Sequence, residues 1–366
     1  MSTTGESATQ PKKSVSLPTG PRGILLAVGL VLIMAAPAVV LAFTPMAAAM
    51  GATIPGLLAA SLGVLVGGVR RGLMVTVMAI VAVGLAPLGL LYPILGVLVI
   101  TGLGVLVGYA AYRGMDQPVY TVNWLVAMTM LAPPALTASQ LADGVTITPR
   151  YLGALVVVTA VGGLWAFLVM CLVDRRLPPR PLNRLPKQES IVYGATIAVL
   201  TGASAAVALT WFKYSLAGWV ILTIYIISRP SFKGTDVVHG MRRKALQRAV
   251  GTVGGVIIAS LIATFVHNPS VLLLIGALLI GPAMSRLVGG HPYWQYVVLF
   301  TPAMVFLDSN GVHAQEVALE RIVCTFIGLA LAMLGLWFNR RFVFPWIIRT
   351  QHERAAASEA DHPQAA

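Results

Sequence analysis

From Gly23 to Phe338 the chain is a succession of long apolar runs, and what interrupts them is short: paired bases, a proline or glycine, a few polar side chains. Runs of roughly 15 to 25 residues are close to what a helix needs to cross a ~30 Å hydrocarbon layer. The pattern predicts twelve such helices. Six precede a polar linker: Gly23 to Phe43, Thr44 to Val69, Gly72 to Ala86, Leu90 to Tyr112, Val119 to Leu136 and Tyr151 to Val173. Six follow it: Ile191 to Phe212, Leu216 to Ser228, Ala249 to Val266, Ser270 to Met284, Tyr293 to Leu307 and Ile322 to Phe338.

Composition agrees with this pattern. Charged residues are 10% and apolar residues 57% of the 366, with mean hydropathy +0.85, whereas a soluble domain carries about 25% charged residues. The expected fold class is an all-α polytopic membrane protein that lies in the lipid bilayer and leaves little chain for soluble structure.

A net charge of +13 raises the question of nucleic acid, and the distribution of the bases answers it. With a cytoplasmic N-terminus, only Arg150, Lys213 and Arg321 of the 25 Lys and Arg residues fall outside. Cytoplasmic loops are expected to carry this excess. Orientation during insertion therefore accounts for the charge, no nucleic-acid partner is expected, and both termini are cytoplasmic. The run after Arg22 is about 20 residues, longer than the 7 to 15 of a cleaved signal, so it reads as a first helix. The chain divides into a disordered tail (1–22), a first membrane half (23–173), a basic linker (174–190), a second half (191–341) and a C-terminal tail (342–366).

The two halves share landmarks. Trp124 precedes Arg150 by 26 residues and Trp294 precedes Arg321 by 27, each Arg opening a last helix that closes on a basic pair, Arg175-Arg176 or Arg340-Arg341. Six spans per half give both halves one orientation, hence two parallel six-helix repeats about an axis along the membrane normal. The two cysteines, Cys171 and Cys324, fall near opposite faces and read as small apolar packers.

The second half carries Trp219 to Thr223 (WVILT), the bases of Arg242 to Arg248, then Arg248-Ala-Val-Gly251-Thr252-Val-Gly254, the Tyr293 to Phe300 run and the Glu320-Arg321 pair. Over about residues 205 to 340 these resemble the fusaric acid resistance and aromatic acid exporter family of bacterial inner-membrane proteins. The resemblance implies efflux of small organic, often aromatic, acids, in some members with a periplasmic adaptor protein. There is no large cytoplasmic domain between the halves, and Arg70, Arg71 and Gly72 are the first half's nearest equivalent of the Gly-Thr signature.

Candidate residues follow from the chemistry of an organic anion in an apolar path. Arg150 and Arg321 depart from the inside bias, and an Arg can hold a carboxylate through two parallel hydrogen bonds; pairing with Asp308 or another outer acid is the alternative. Trp124, Trp219 and Trp294 offer faces on which an aromatic ring could stack, or are interfacial anchors. Thr223, Arg248, Gly251 and Thr252 lie on the segment that carries the resemblance. Gly251 and Gly255, four apart, suit close helix packing, and Thr252 beside them presents a hydroxyl. Lys233 to Arg248 reads as a cytoplasmic surface helix with Val237, Val238, Met241 and Ala245 on its apolar side. No phosphate-loop motif, metal cluster or hydrolytic constellation is present, so no cofactor, metal or enzymatic activity is expected. A secondary exporter leads; a passive anion channel and a non-transporting scaffold or lipid-handling subunit are the other readings, and oligomerisation is left open.

The topology is directly checkable. A fluorescent protein fused to the C-terminus should fluoresce, whereas alkaline phosphatase inserted at Gly144 should be active and at the C-terminus inactive.

Overall fold

The computed structural model describes residues 29–30, 32–174, 184–211, 218–228, 237–288, 291–309, 313–343 and 345. The tails, most of the 174–190 linker and Lys213 lie outside them. The described residues are helical throughout, with connections of a few residues and no strand among them. Six described segments are long and apolar enough to cross a membrane, and two shorter apolar helices accompany them. The protein is a multi-pass helical membrane protein.

In chain order the helices are α1 (Ala36–Ala42), α2 (Met50–Leu85), α3 (Leu88–Leu91), α4 (Pro93–Tyr112), α5 (Asp116–Leu131), α6 (Ala138–Asp143) and α7 (Pro149–Asp174). Then come α8 (Lys187–Trp211), α9 (Gly218–Ser228), α10 (Val237–Phe265), α11 (Pro269–Val288), α12 (Tyr293–Asp308) and α13 (Ala314–Phe338).

α2 is two arms. Gly68 sits at φ +73°, ψ 178°, a conformation that glycine adopts without steric cost. A Cβ on Gly63 would lie 3.1 Å from the Cα of Gly72, yet nine residues of straight helix would hold those positions about 13 Å apart. The chain therefore reverses at Gly68, with Arg70 and Arg71 at the bend. Where the sequence gives two spans meeting near Val69, the structure has a tight hairpin. Both arms pack on α7, Gly56 against Thr159 and Gly163, and Thr76 against Gly163.

Small residues set the other close contacts, as expected where lipid removes the hydrophobic drive between helices and packing must supply the attraction. α4 crosses α8 with Gly108 on Gly194 and Gly104 on Ala198; α10 meets α12 through Gly251 and Gly255; α13 meets α9 where Gly328 lies under Thr223. Hydroxyls within the helices turn back onto carbonyls four residues earlier, Thr76 to Gly72, Thr201 to Ile197 and Thr223 to Trp219, so they stay satisfied in an apolar setting.

α5 and α9 are the centre. α9 is buried on every side, Ile226 alone being partly exposed, and the largest cluster of buried side chains joins Ile100, Val122, Trp124, Ile197, Trp219, Ile224 and Tyr225 across both halves. A helix apolar all round belongs inside a bundle. The 11 described residues of α9 are about 16 Å of helix. The outward surface is apolar too, with Met74, Leu98, Leu168, Val199, Leu261 and Phe265 more than half exposed, as lipid contact requires.

One sequence expectation needs correction. The bases up to Arg248 do not form a separate surface helix: from Val237 they are the first turns of α10 itself, with Met241 buried, Ala245 packed near Ile227 and Leu329, and Arg242 and Arg243 exposed. Pro230, which cannot donate to a helix ladder, lies before it, and nothing breaks the helix between Val237 and Phe265.

The α4–α8 crossing gives a stability test. A Cβ at Gly108 would stand within 2.9 Å of backbone atoms of Gly194 and Ser190, and backbone cannot rotate away. Gly108→Leu should lower stability by at least about 1–3 kcal/mol, read as a fall in the thermal unfolding midpoint of the purified protein in detergent, whereas Gly102→Leu, with open space at that position, should leave the midpoint unchanged.

Candidate functional site

Two arginines are buried in the helical bundle, which is costly unless their charge is met by partners. Arg248 on α10 is 4% exposed and Arg321 on α13 is 3% exposed. Both reach α9. The Arg321 guanidinium lies 3.5 Å from the ring centroid of Trp219 and 5.8 Å from that of Phe300 on α12. The Arg248 Nε donates to Thr223 Oγ1 at 3.2 Å and its Nη1 to the hydroxyl of Tyr293 at 2.9 Å. Trp219 and Thr223 are one helical turn apart, about 6 Å along the axis, so the two cations meet successive turns of one face of α9.

The counterions are unequal. Arg321 Nη1 faces Asp308 Oδ2 at 3.7 Å, an ion pair beyond hydrogen-bond reach, and neither atom has a hydrogen-bond partner among the described residues. The Trp219 indole also lies beside Asp308. Arg248 is held through the neutral oxygens of Thr223 and Tyr293. A guanidinium stays protonated in proteins, so these three side chains together carry one net positive charge.

Aromatic rings wall the centre. Trp124 of α5 meets the indole of Trp219 at 5.3 Å, Tyr120 stacks on Tyr225 at 5.7 Å, and Tyr296 joins Tyr293 and Phe300 along α12. Asn123, wholly buried beside Trp124 in sequence, makes no hydrogen bond among the described residues through either end of its amide.

Arg321, Arg248, Trp219, Thr223, Asp308 and Trp124 are thus brought together. The other sequence candidates are elsewhere. Arg150 is exposed in the first turn of α7, which packs on α2, so it does not form an outer pair with Arg321 as its matched spacing had suggested. Trp294 is 40% exposed; Gly251 packs against the backbone of Trp294 and the side chain of Val297; Thr252 is buried. His267, His313 and Glu316 line a separate cavity of about 280 Å³, with His313 Nδ1 3.8 Å from Glu316. Among the described residues no cluster is suited to a metal ion.

Tyr293, Tyr296 and Phe300 were missed from sequence, although positions i, i+3 and i+7 share a helix face. Tyr120 and Trp124 repeat that spacing on α5.

The site belongs to a multi-pass helical membrane protein, and its charged side chains, Arg248, Asp308 and Arg321, sit on α10, α12 and α13. Residues 196–335 match the family described as "Fusaric acid resistance protein-like". The match spans Arg248, Asp308 and Arg321, the charged part of the site. An uncharacterized protein of Synechocystis sp., slr1298, is 28% identical over 149 residues, 40% of this chain and 17% of that protein. The chain thus matches about a sixth of that relative's length. No solved structure matches.

The Arg321–Asp308 pair can be tested thermodynamically. Arg321→Met leaves a largely buried carboxylate unmatched and should cost roughly 3–5 kcal/mol. Adding Asp308→Asn to it should recover part of that loss, seen as a positive coupling in a double-mutant cycle of unfolding midpoints.

Proposed function

We propose that the chain is a secondary exporter of small organic acids, aromatic ones foremost, in a bacterial inner membrane. The observation that carries this reading is the pair of buried guanidiniums among indole and phenol rings at the middle of the bundle. A carboxylate needs fixed, desolvated donors, and an aromatic body needs faces to stack on. Both are supplied within the segment that matches the fusaric acid resistance protein-like family.

The architecture fits a transporter built of twelve spans. Counting the arms of α2 separately, α1, α2, α4, α5 and α7 supply six segments and α8 to α13 six more. The packing of α2 on α5, α4 on α5 and α2 on α7 has counterparts in α10 on α12, α11 on α12, and α9 and α10 on α13, which supports a parallel six-helix repeat; the placement of the bases favours both termini cytoplasmic. α9 is a buried helix between the two halves, and helices at such an interface commonly line solute sites in transporters. Among the described residues the charged groups have no nucleophile–base arrangement around them, and the chemistry this reading assigns to them is binding and release. A periplasmic adaptor and further copies of the chain are partners this reading admits through the family.

Reconstitution into liposomes with an imposed pH gradient and membrane potential tests it. Benzoate-like acids should move, and Arg248→Gln should slow that movement at least about tenfold if the guanidinium is a direct ligand. Folded wild-type protein that moves none of a panel of aromatic and aliphatic acids would overturn the exporter reading, and movement indifferent to the proton gradient would favour a passive anion channel.

A further inference from the structure

Asn123 and Trp124, neighbours on α5, are buried with their polar atoms unmet. Asn123 has no exposed surface, and neither its amide oxygen nor its amide nitrogen makes a hydrogen bond among the described residues. Trp124 is 5% exposed, and its indole N–H has no acceptor among them. We propose that these groups bias the seam between α5 and α9 to open to water: the packed arrangement is a closed state, and the protein visits, with no solute present, a second state in which α5 exposes Asn123. The proposal goes beyond the transport reading and does not depend on it.

A polar group buried without a partner costs its full desolvation. Other polar side chains at the centre avoid that cost: Thr121 on α5 itself, Thr201 on α8 and Thr223 on α9 each donate to a carbonyl one turn earlier. Asn123 and Trp124 have no such relief in the closed seam. Opening replaces their unmet positions with bonds to water, so these atoms favour the open state. Ring contacts oppose them and hold the seam shut, Trp124 on Trp219 at 5.3 Å and Tyr120 on Tyr225 at 5.7 Å.

The way the halves join says where they part. α4 and α8 interlock backbone against backbone, Gly108 on Gly194 and Gly104 on Ala198, and make the more extensive join. α5 and α9 touch less extensively, through the two ring pairs and through Met128 on Gly218. The α4–α8 crossing is the pivot, and the α5–α9 contact is the side that opens. Ala127 is wholly buried one turn beyond Asn123, on the stripe that it shares with Tyr120 and Asn123, so it reports opening without disturbing the amide.

Thiol labelling tests this. Ala127→Cys is made in the full chain carrying Cys171→Ala and Cys324→Ala, and the protein in nanodiscs, with no acid added, is treated with a quaternary ammonium methanethiosulfonate, which reacts from water. Ala60→Cys and Ala259→Cys, equally buried but in clusters away from the seam, are the controls. The thiol at position 127 should react at least about tenfold faster than those at 60 and 259. Adding Asn123→Leu should slow it at least about fivefold and raise the thermal unfolding midpoint by at least about 2 °C, because an apolar side chain of similar shape removes the unmet amide. A thiol at 127 that reacts no faster than the controls overturns the proposal, as does a rate indifferent to Asn123→Leu. Should the cysteine-replaced protein not fold, Asn123→Leu in the otherwise unaltered chain decides: a higher midpoint supports the proposal, and an unchanged or lower one shows the amide satisfied in the closed seam and removes the premise. Failure to move any acid bears on the exporter reading alone, since the labelling rate is read without solute.

Discussion

The contact on which the centre of this protein depends is the guanidinium of Arg321 laid on the indole of Trp219. A charge buried to this extent is tolerable only because several partial compensations converge on it: the π-face at 3.5 Å, a second ring at 5.8 Å and the carboxylate of Asp308. None would suffice alone, since a desolvated cation–π contact is worth about 2 kcal/mol or somewhat more against a desolvation penalty of several. Their convergence requires α9, α12 and α13 to be fixed relative to one another. Glycines do this: Gly328 lets α13 approach Thr223 and the backbone of α9, and Gly251 and Gly255 bring α10 onto α12. The same close approach that gives these helices their packing energy brings both arginines to one face of α9.

The first half serves this centre in a different way. It lends rings, Trp124 against Trp219 and Tyr120 against Tyr225, from a helix that is buried on nearly every side. Arg248, Arg321 and Asp308 come from the second half. α5 and α9 therefore form the seam, and a solute held at the arginines would touch both halves at once. Relative motion of the halves about that seam would change the rings presented to the solute while leaving its ionic partners in place.

Much of this was legible in the sequence. The helical membrane class follows from run length and composition, and the family resemblance rests on WVILT, Arg248-Ala-Val-Gly251-Thr252 and Glu320-Arg321, all inside the matching segment. Arg248, Arg321, Trp219, Thr223, Trp124 and Asp308 could be named because charge and aromatic residues are scarce against an apolar background. What the sequence does not carry is depth. A base ahead of an apolar run is expected at a solvated helix end, and Arg242 and Arg243 are both exposed. Arg248 obeys the same rule of placement yet is buried, because α10 begins at Val237 and carries it into the bundle. Gly68 is a similar case: its left-handed conformation is a property of the bend, and one of a Gly-Gly pair could have been assigned it only by knowing that the arms return along each other.

Equal spacing also proved a poor guide to equal environment. Trp124 and Trp294, and Arg150 and Arg321, occupy matched places along the two halves, yet Trp124 and Arg321 are buried while Trp294 and Arg150 are exposed. Places matched by spacing in two halves that pack on each other through one seam need not have the same neighbours. Arg321 lies against α9, and α9 lies against α5; Arg150 stands at the start of a helix packed on the α2 hairpin, where no indole is held to receive it. A guanidinium without such a receiver goes to water or the lipid headgroups, where its solvation is retained. The asymmetry of the site is thus a consequence of how the halves join, and the buried cation persists only on the side where the seam supplies a ring and an acid to meet it.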